Sequence, residues 1–310
     1  MTNKNKIFIT IGCFLLLVAI ALSIWFFGAT FTEFNAKERF EIAGLKSGFV
    51  PKGVCRLFDG RDLWLVSGYM ADGSTSRVYV INEYSGETRY FTLKDQGSAI
   101  TGQFGGIASN GKQVWLVSDG QVYCFNAADV LSVADAKSLQ ITDKFDTGIN
   151  ANFCFANSEI LMVGESSSTA DTTYALCFAV GSGRYGLQTD GFGRLAPVVA
   201  YSIPSKVRGM AVVGSKIYLS VDCGATHSKV YKFDESIMGT VSQVGNLSIM
   251  NTEVSLMALK EDNAVKAIKV PPRCEGLDVH AGQIFALFSS ASKKGGFSRT
   301  QEKYVQSFTF

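Results

Sequence analysis

Residues 105–120, GGIASNGKQVWLVSDG, lead directly into QVYCFN at 121–126. A glycine pair opens a short apolar strand. Asn110 and Gly111 supply a two-residue hairpin turn, because both tolerate the left-handed backbone that such turns require. A second strand carries Trp115, and after Asp119 and Gly120 a third carries Val122, Tyr123 and Phe125. Short apolar runs punctuated by Gly, Asn and Asp are strand-and-turn chemistry rather than helical periodicity.

The same unit recurs four more times. It reads GVCRLFDGRDLWLVSG (53–68) with SRVYVIN (76–82), and NFCFANSEILMVGE (152–165) with YALCFAV (174–180). It reads again as RGMAVVGSKIYLSV (208–221) with SKVYKFD (228–234), and as EGLDVHAGQIFALFSS (275–290) with EKYVQSF (302–308). Aligning Val54, Ile107, Phe153, Met210 and Leu277 gives spacings of 53, 46, 57 and 67 residues. That is room for one antiparallel sheet of about four strands per unit.

Such a sheet cannot bury both faces alone, so neighbours must stack, with Trp64, Trp115, Leu161, Tyr218 and Phe285 between them. The expected fold is all-β: a β-propeller over 49–310 with five blades, or six if SLMALKEDNAVKAIKV (255–270) forms a degenerate one. A sandwich would leave five similar hairpins unexplained. The last unit ends at Phe310 after three strands. ERFEIAGL (38–45), within a connector spanning 30–48, is the candidate fourth strand that closes the ring and hides its edges.

No charged residue occurs between Ile7 and Thr32. Length and apolarity predict a transmembrane signal-anchor over 7–29. Lys4 and Lys6 place residues 1–6 in the cytoplasm and the propeller outside, with Trp25, Phe26 and Phe27 at the outer interface. A cleaved signal peptide is the competing reading. It fits less well, because the apolar run is long and Phe27 occupies a position where cleavage needs a small residue.

The 29 basic and 27 acidic residues leave a net charge of +2, without the electrostatic footprint of a nucleic-acid binder. His227 and His280 are the only histidines, and no CxxC occurs, which argues against a histidine- or cysteine-built zinc site. Cys55 and Cys154 read as equivalent first-strand positions and Cys124 and Cys177 as third-strand ones, all four as small buried apolar groups. Cys223 follows the second strand of the fourth unit and Cys274 precedes the first strand of the fifth. Both fall on one face of adjacent blades, so a Cys223–Cys274 disulfide is expected, with two free thiols as the alternative.

In a propeller the residues entering the first strands converge at one mouth of the central channel. Here those are Lys52, Gln103 with Phe104, Asn152, Arg208 and Glu275. Asp119, Glu165 and Asp222 would stand just outside. Lys52, Asn152, Arg208 and Glu275 form a candidate ligand site, with the two cations able to hold an anion or polarise a carbonyl. The same residues also read as a salt-bridged channel mouth that needs no ligand. Asn152, Glu165, Asp222 and Glu275 offer oxygen donors suited to calcium, and His227 lies in a loop on this face as a candidate proton carrier. Loops between second and third strands are longer than the first turns, which points to this face for recognition.

VPKG (50–53), FGGIASNGKQVWLVSDG (104–120), KVRGMAVVGSKIYLS (206–220) and PPRCEGLDVHAGQIFALFSSA (271–291) together resemble the YncE-like and SMP-30/gluconolactonase-like propeller group. They resemble still more closely uncharacterised, membrane-anchored propellers of Gram-positive bacteria. The lactonase likeness implies a divalent ion held by Glu, Asn, Asn and Asp, with Glu275 matching the Glu and Asn152 one Asn. The second Asn and the general-base Asp have no counterpart.

Three functions follow as expectations. The first is a membrane-anchored extracytoplasmic module recognising a surface glycan, a peptide or a membrane protein, with no nucleic-acid partner. The second is a calcium-assisted ester or lactone hydrolase in which Asp222 activates water. The third is a structural subunit of an envelope assembly.

Overall fold

The structure, a computed structural model, describes residues 3–27, 31–57, 62–170 and 172–310, and in the first helix the side chains of 10–23. The turn at 58–61 and the aromatic residues 25–27 expected at a membrane interface lie outside the described side chains.

Helix α1 (Asn3–Phe27) precedes everything else. Its described side chains are all exposed, Phe14, Leu15, Leu16 and Leu17 each more than half. Among the described residues no helix is long and apolar enough to cross a membrane. At ~1.5 Å per residue, 10–23 alone covers about 20 Å of a ~30 Å hydrocarbon core. The span expected over 7–29 is therefore not supported by the described side chains, which stop short of both its ends.

After β1 (Lys37–Glu41) the chain builds blade one from β2 (Phe49–Leu57), β3 (Leu63–Met70), β4 (Arg77–Asn82) and β5 (Thr88–Asp95), with a two-residue β6 (Ser98–Ala99) on its edge. Blade two uses β7 (Ile107–Ser109), β8 (Gln113–Ser118) and β9 (Gln121–Asn126). Helix α2 (Ala127–Ser132) and β10 (Lys137–Gln140) intervene before its fourth strand, β11 (Asp143–Asp146). Blade three is β12 (Ala151–Ala156), β13 (Ile160–Glu165), β14 (Thr173–Ala179) and β15 (Val199–Ile203). Blade four is β16 (Val207–Val213), β17 (Lys216–Asp222) and β18 (Ser228–Asp234). The hairpin β19 (Ser242–Ile249) and β20 (Thr252–Ala258) follows before the fourth strand, β21 (Lys266–Val270). Blade five is β22 (Cys274–His280), β23 (Gln283–Phe288) and β24 (Tyr304–Phe308), completed by β1 pairing antiparallel with β24.

There are five blades, not six. The stretch 255–270 divides between two of them: β20 adds parallel to β15 on blade three, and β21 completes blade four. β10 does the same on blade one, adding parallel to β5 from within blade two. The segment between third and fourth strands of blades two and four thus covers the exposed edge of the preceding blade.

Five apolar clusters fill the five interfaces. Trp64 and Phe285 meet at the seam between blades five and one, ring centroids 4.3 Å apart. Trp115 and Leu161 pack between two and three, and Tyr218 between four and five. Because both faces of a blade are covered, the middle strands read as nearly unbroken apolar runs: β3 is LWLVSGYM with one residue only half-buried.

Inner strands of neighbouring blades approach backbone to backbone around the axis. A Cβ on Gly53 would come within 2.5 Å of the Ile107 nitrogen, and one on Gly106 within 2.2 Å of the Cys154 nitrogen. Gly209 and Gly276 hold the same register in their blades. In blade three that slot belongs to Phe153, whose ring fits only because it faces Gly164, where a Cβ would meet it at 2.1 Å. The alignment read from the sequence is therefore out by one in blade three: Cys154, not Phe153, corresponds to Val54. Cys55 and Cys154 accordingly face different interfaces.

The expected Cys223–Cys274 disulfide is not formed; all seven cysteines are free. Cys274 is fully buried in the cluster between blades four and five, while the half-buried Cys223 thiol lies 3.7 Å from the Val221 carbonyl. Sharing a face does not aim two side chains at each other.

The mouth side does not hold all the long loops. Third-to-fourth connections emerge with the short turns, and those spanning 180–198 and 235–265 are the longest. Exposed Tyr84, Phe192 and Met238 lie on that side, and Phe297 on the mouth side.

Candidate functional site at the channel mouth

Each inner strand carries one extra residue where it enters the channel. The register of β2 skips between Pro51 and Gly53, of β12 between Ala151 and Phe153, of β16 between Val207 and Gly209, and of β22 between Cys274 and Gly276. The residues left over are Lys52, Asn152, Arg208 and Glu275. A β-bulge bends its strand and re-aims the extra side chain, so one backbone device in four blades projects all four candidates at one mouth. In blade two the position is Gly105: the Gly105 nitrogen donates to Val117 O at 2.8 Å and the Val117 nitrogen to Gly106 O at 2.9 Å. That sector therefore carries no side chain. Gln103 is exposed and Phe104 fully buried, so neither joins the ring.

The same register identifies the partners of the ring. Tyr69, Asp119, Ser166, Asp222 and Ser289 lie at equivalent positions at the ends of the second strands or just past them. Three of them meet the bulge residue of their own blade. Ser289 Oγ donates to Glu275 Oε1 at 2.6 Å, Arg208 lies 3.9 Å from Asp222 Oδ2, and Asn152 Nδ2 donates to Ser166 O at 3.4 Å. Tyr69, Ser166 and Ser289 are not marked in the sequence, and the expected Glu165 lies one residue short of Ser166, the same one-residue offset as at Phe153. The Glu165 carboxylate instead accepts from the Tyr174 backbone at 2.9 Å.

Glu275 is the buried centre, 4% exposed. Lys52 Nζ donates to its Oε2 at 2.9 Å across the seam between the last and first blades. Burial alone would raise this carboxyl, but Lys52, Arg208 and the Ser289 hydroxyl outweigh it and hold it below the ordinary value. Arg208 is less completely served. Its Nε is buried without a partner among the described residues, and so is Ser166 Oγ on the adjoining blade. A buried donor left unpaired costs about 1–3 kcal/mol, so the mouth holds unsatisfied hydrogen-bonding capacity between blades three and four. A cleft of about 590 Å³ adjoins the side-chain-free sector, with Tyr69, Gln103, Asp119 and Lys294 among its walls.

The carboxylates among the expected calcium donors have partners of their own. Among the described residues no three His, Cys, Asp or Glu side chains stand close enough to hold a metal. Glu275 is taken by Lys52 and Ser289, Glu165 by Tyr174, and Asp222 Oδ1 by the Gly224 nitrogen at 2.9 Å. His227 does not join the ring either. Its Nδ1 is 3.0 Å from Thr226 Oγ1, and burial with the nearby Lys269, Lys229 and Arg299 lowers its pKa.

Deeper in the seam is a residue the sequence did not flag. Asp278 is 6% exposed and its Oδ2 accepts the Arg56 backbone N–H at 2.7 Å. Burial raises its carboxyl to about 7, against the lowering effects of the Arg56 and Val279 N–H groups and the Arg56 charge.

No protein-family description matches the chain, and no curated protein does. Solved structures do resemble it. A tail fiber of a Staphylococcus aureus phage aligns at TM-score 0.43 and 10% identity, over 94% of this chain and 55% of its own. Kuenenia stuttgartiensis hydrazine synthase aligns at 0.40 and 9%, over 76% and 55%, and Saccharomyces cerevisiae Sqt1 at 0.37 and 8%, over 81% and 82%. The chain spans little more than half the length of the first two. The propeller assignment rests on the sheet order above.

Proposed function

We propose that the protein is a binding module, tethered to a membrane by α1, whose channel mouth takes an anionic or hydrogen-bond-accepting group of a surface peptide or glycan. The carrying observation is the meeting of four bulge residues with two buried polar atoms that lack partners, Arg208 Nε and Ser166 Oγ. A carboxylate at the mouth would meet the partly exposed Arg208 and Lys52 side chains. The exposed leucines of α1 favour the tether, since uncovered apolar surface of that extent calls for lipid or a partner. In this reading the N-terminus is cytoplasmic and the propeller extracytoplasmic. Neither the hydrolase nor the structural-subunit expectation has a comparable supporting geometry.

The test is retention of the full-length protein, in neutral nanodiscs, on an array of carboxylate-bearing peptides and uronate oligosaccharides. Arg208→Ala is expected to abolish retention on the members that capture the unsubstituted protein, while Lys232→Ala keeps it. Equal retention by both variants, or no retained member, overturns the reading. Alkaline carbonate extraction of membranes checks the tether separately: the protein should stay in the pellet.

A further inference from the structure

A second charged site lies on the outer rim of blade four. In the antiparallel pair β18 and β21, Lys229 stands directly opposite Lys269. Like charges in direct cross-strand register are destabilising. Neither lysine takes part in an ion pair among the described residues; Lys229 Nζ donates to Tyr231 Oη at 3.2 Å, and that hydroxyl donates in turn to the Glu261 carboxylate. Arg299 is brought to the same place by its N–H bond to Ala225 O at 2.8 Å, and His227 lies among the three cations.

The lysines line a cleft of about 360 Å³ together with the chain segment Phe31–Glu33 and the strand residues Ala267 and Ile268. Glu33, the carboxylate among its lining residues, is exposed and pairs with neither lysine. Phe31 is four residues beyond Phe27, the last residue of α1. At ~3.6 Å per extended residue the cleft is held within roughly 15 Å of the end of that helix, whatever path the chain takes between them.

We infer that this cleft binds the phosphate headgroup of an anionic phospholipid in the leaflet where α1 ends, with Lys229 and Lys269 as its charge partners. The inference rests on the membrane-tether reading but not on the channel mouth. Two ammonium groups in cross-strand register match the charge of a phosphate headgroup, and the short chain to α1 keeps them close to the end of that helix. Docking there would also fix blade four against the bilayer and set which way the mouth points.

The experiment uses the full-length protein in nanodiscs of phosphatidylcholine into which phosphatidylglycerol is titrated, with the melting temperature as readout. The temperature is expected to rise with the anionic fraction. Lys229→Gln and Lys269→Gln should each raise the half-effect fraction roughly fivefold, and the double variant should remove the response. Lys232→Gln, on the other face of β18, should leave it unchanged. An unchanged melting temperature for the unsubstituted protein, or an undiminished response in the double variant, overturns the inference. So does full reproduction of the shift by soluble glycerol phosphate in neutral nanodiscs, which would identify a free-phosphate site. If carbonate extracts the protein and the tether fails, co-sedimentation with phosphatidylglycerol vesicles still reads the cleft: binding lost in the double variant supports it, and equal binding overturns it.

Discussion

Lys52 Nζ lies 2.9 Å from Glu275 Oε2, an ion pair between residues 223 positions apart that joins the first inner strand to the last. It does two things at once: it neutralises a carboxylate buried at the channel mouth, and it bolts the seam where the ring closes. Removing one partner of a buried pair leaves the other charge uncompensated, which is costlier than removing both. Lys52→Met is therefore expected to destabilise the protein by about 3 kcal/mol in urea unfolding. The double variant Lys52→Met with Glu275→Gln should recover a large part of that loss.

Asp278 makes the same seam sensitive to pH. Its folded pKa, about 7, lies above the ordinary 3.8. The folded protein therefore holds a proton that the unfolded chain releases, and stability from this group is fully present below about pH 4. It is lost as pH rises through about 7 and is constant above that. Asp278→Asn should flatten the fall in melting temperature between those pH values, measured against the unsubstituted protein so that other titrating groups cancel.

Phe153 and Gly164 are a large-for-small exchange of the Gly53–Ser67 and Gly209–Ser220 pairs in blades one and four. Gly164→Ser should overpack against the ring and cost about 1–3 kcal/mol. In combination with Phe153→Gly the loss should be smaller than the sum of the two single losses by roughly 1 kcal/mol or more, as contacting residues do not add. Additive losses in a denaturant double-mutant cycle would count against this packing.

With no disulfide, intact mass after alkylation under denaturing, non-reducing conditions should show seven modified cysteines. In the native protein Cys223 should react well before Cys274, whose thiol burial pushes far above its ordinary pKa.

The hairpins were readable because strands covered on both faces are written as apolar runs between glycine and asparagine turns. Four of the mouth residues were readable for a related reason: Lys52, Arg208 and Glu275 each precede the glycine demanded by the close approach of inner strands, and Asn152 precedes its substitute. That substitute, Phe153, erases the marker in blade three, so the sequence pattern points to Glu165 and not to Ser166. Asp278 could not be seen, since what distinguishes it is a backbone N–H 222 positions away. Nor could the parallel additions of β10 and β20, which answer to free edges on the preceding blades and to nothing in their own composition. The thiol pairing failed because face and direction are separate properties, and spacing encodes only the first.

The decisive observation is the side-chain Nε–H resonance of Arg208 during titration with the best-retained carboxylate ligand of the array. If the mouth is the binding site, that resonance shifts saturably, and Arg208→Ala weakens binding roughly tenfold or more, as loss of a charge-assisted hydrogen bond requires. A resonance that stays in place while the ligand binds, with unchanged affinity in Arg208→Ala, would show that the four bulges build a channel rim and not a site.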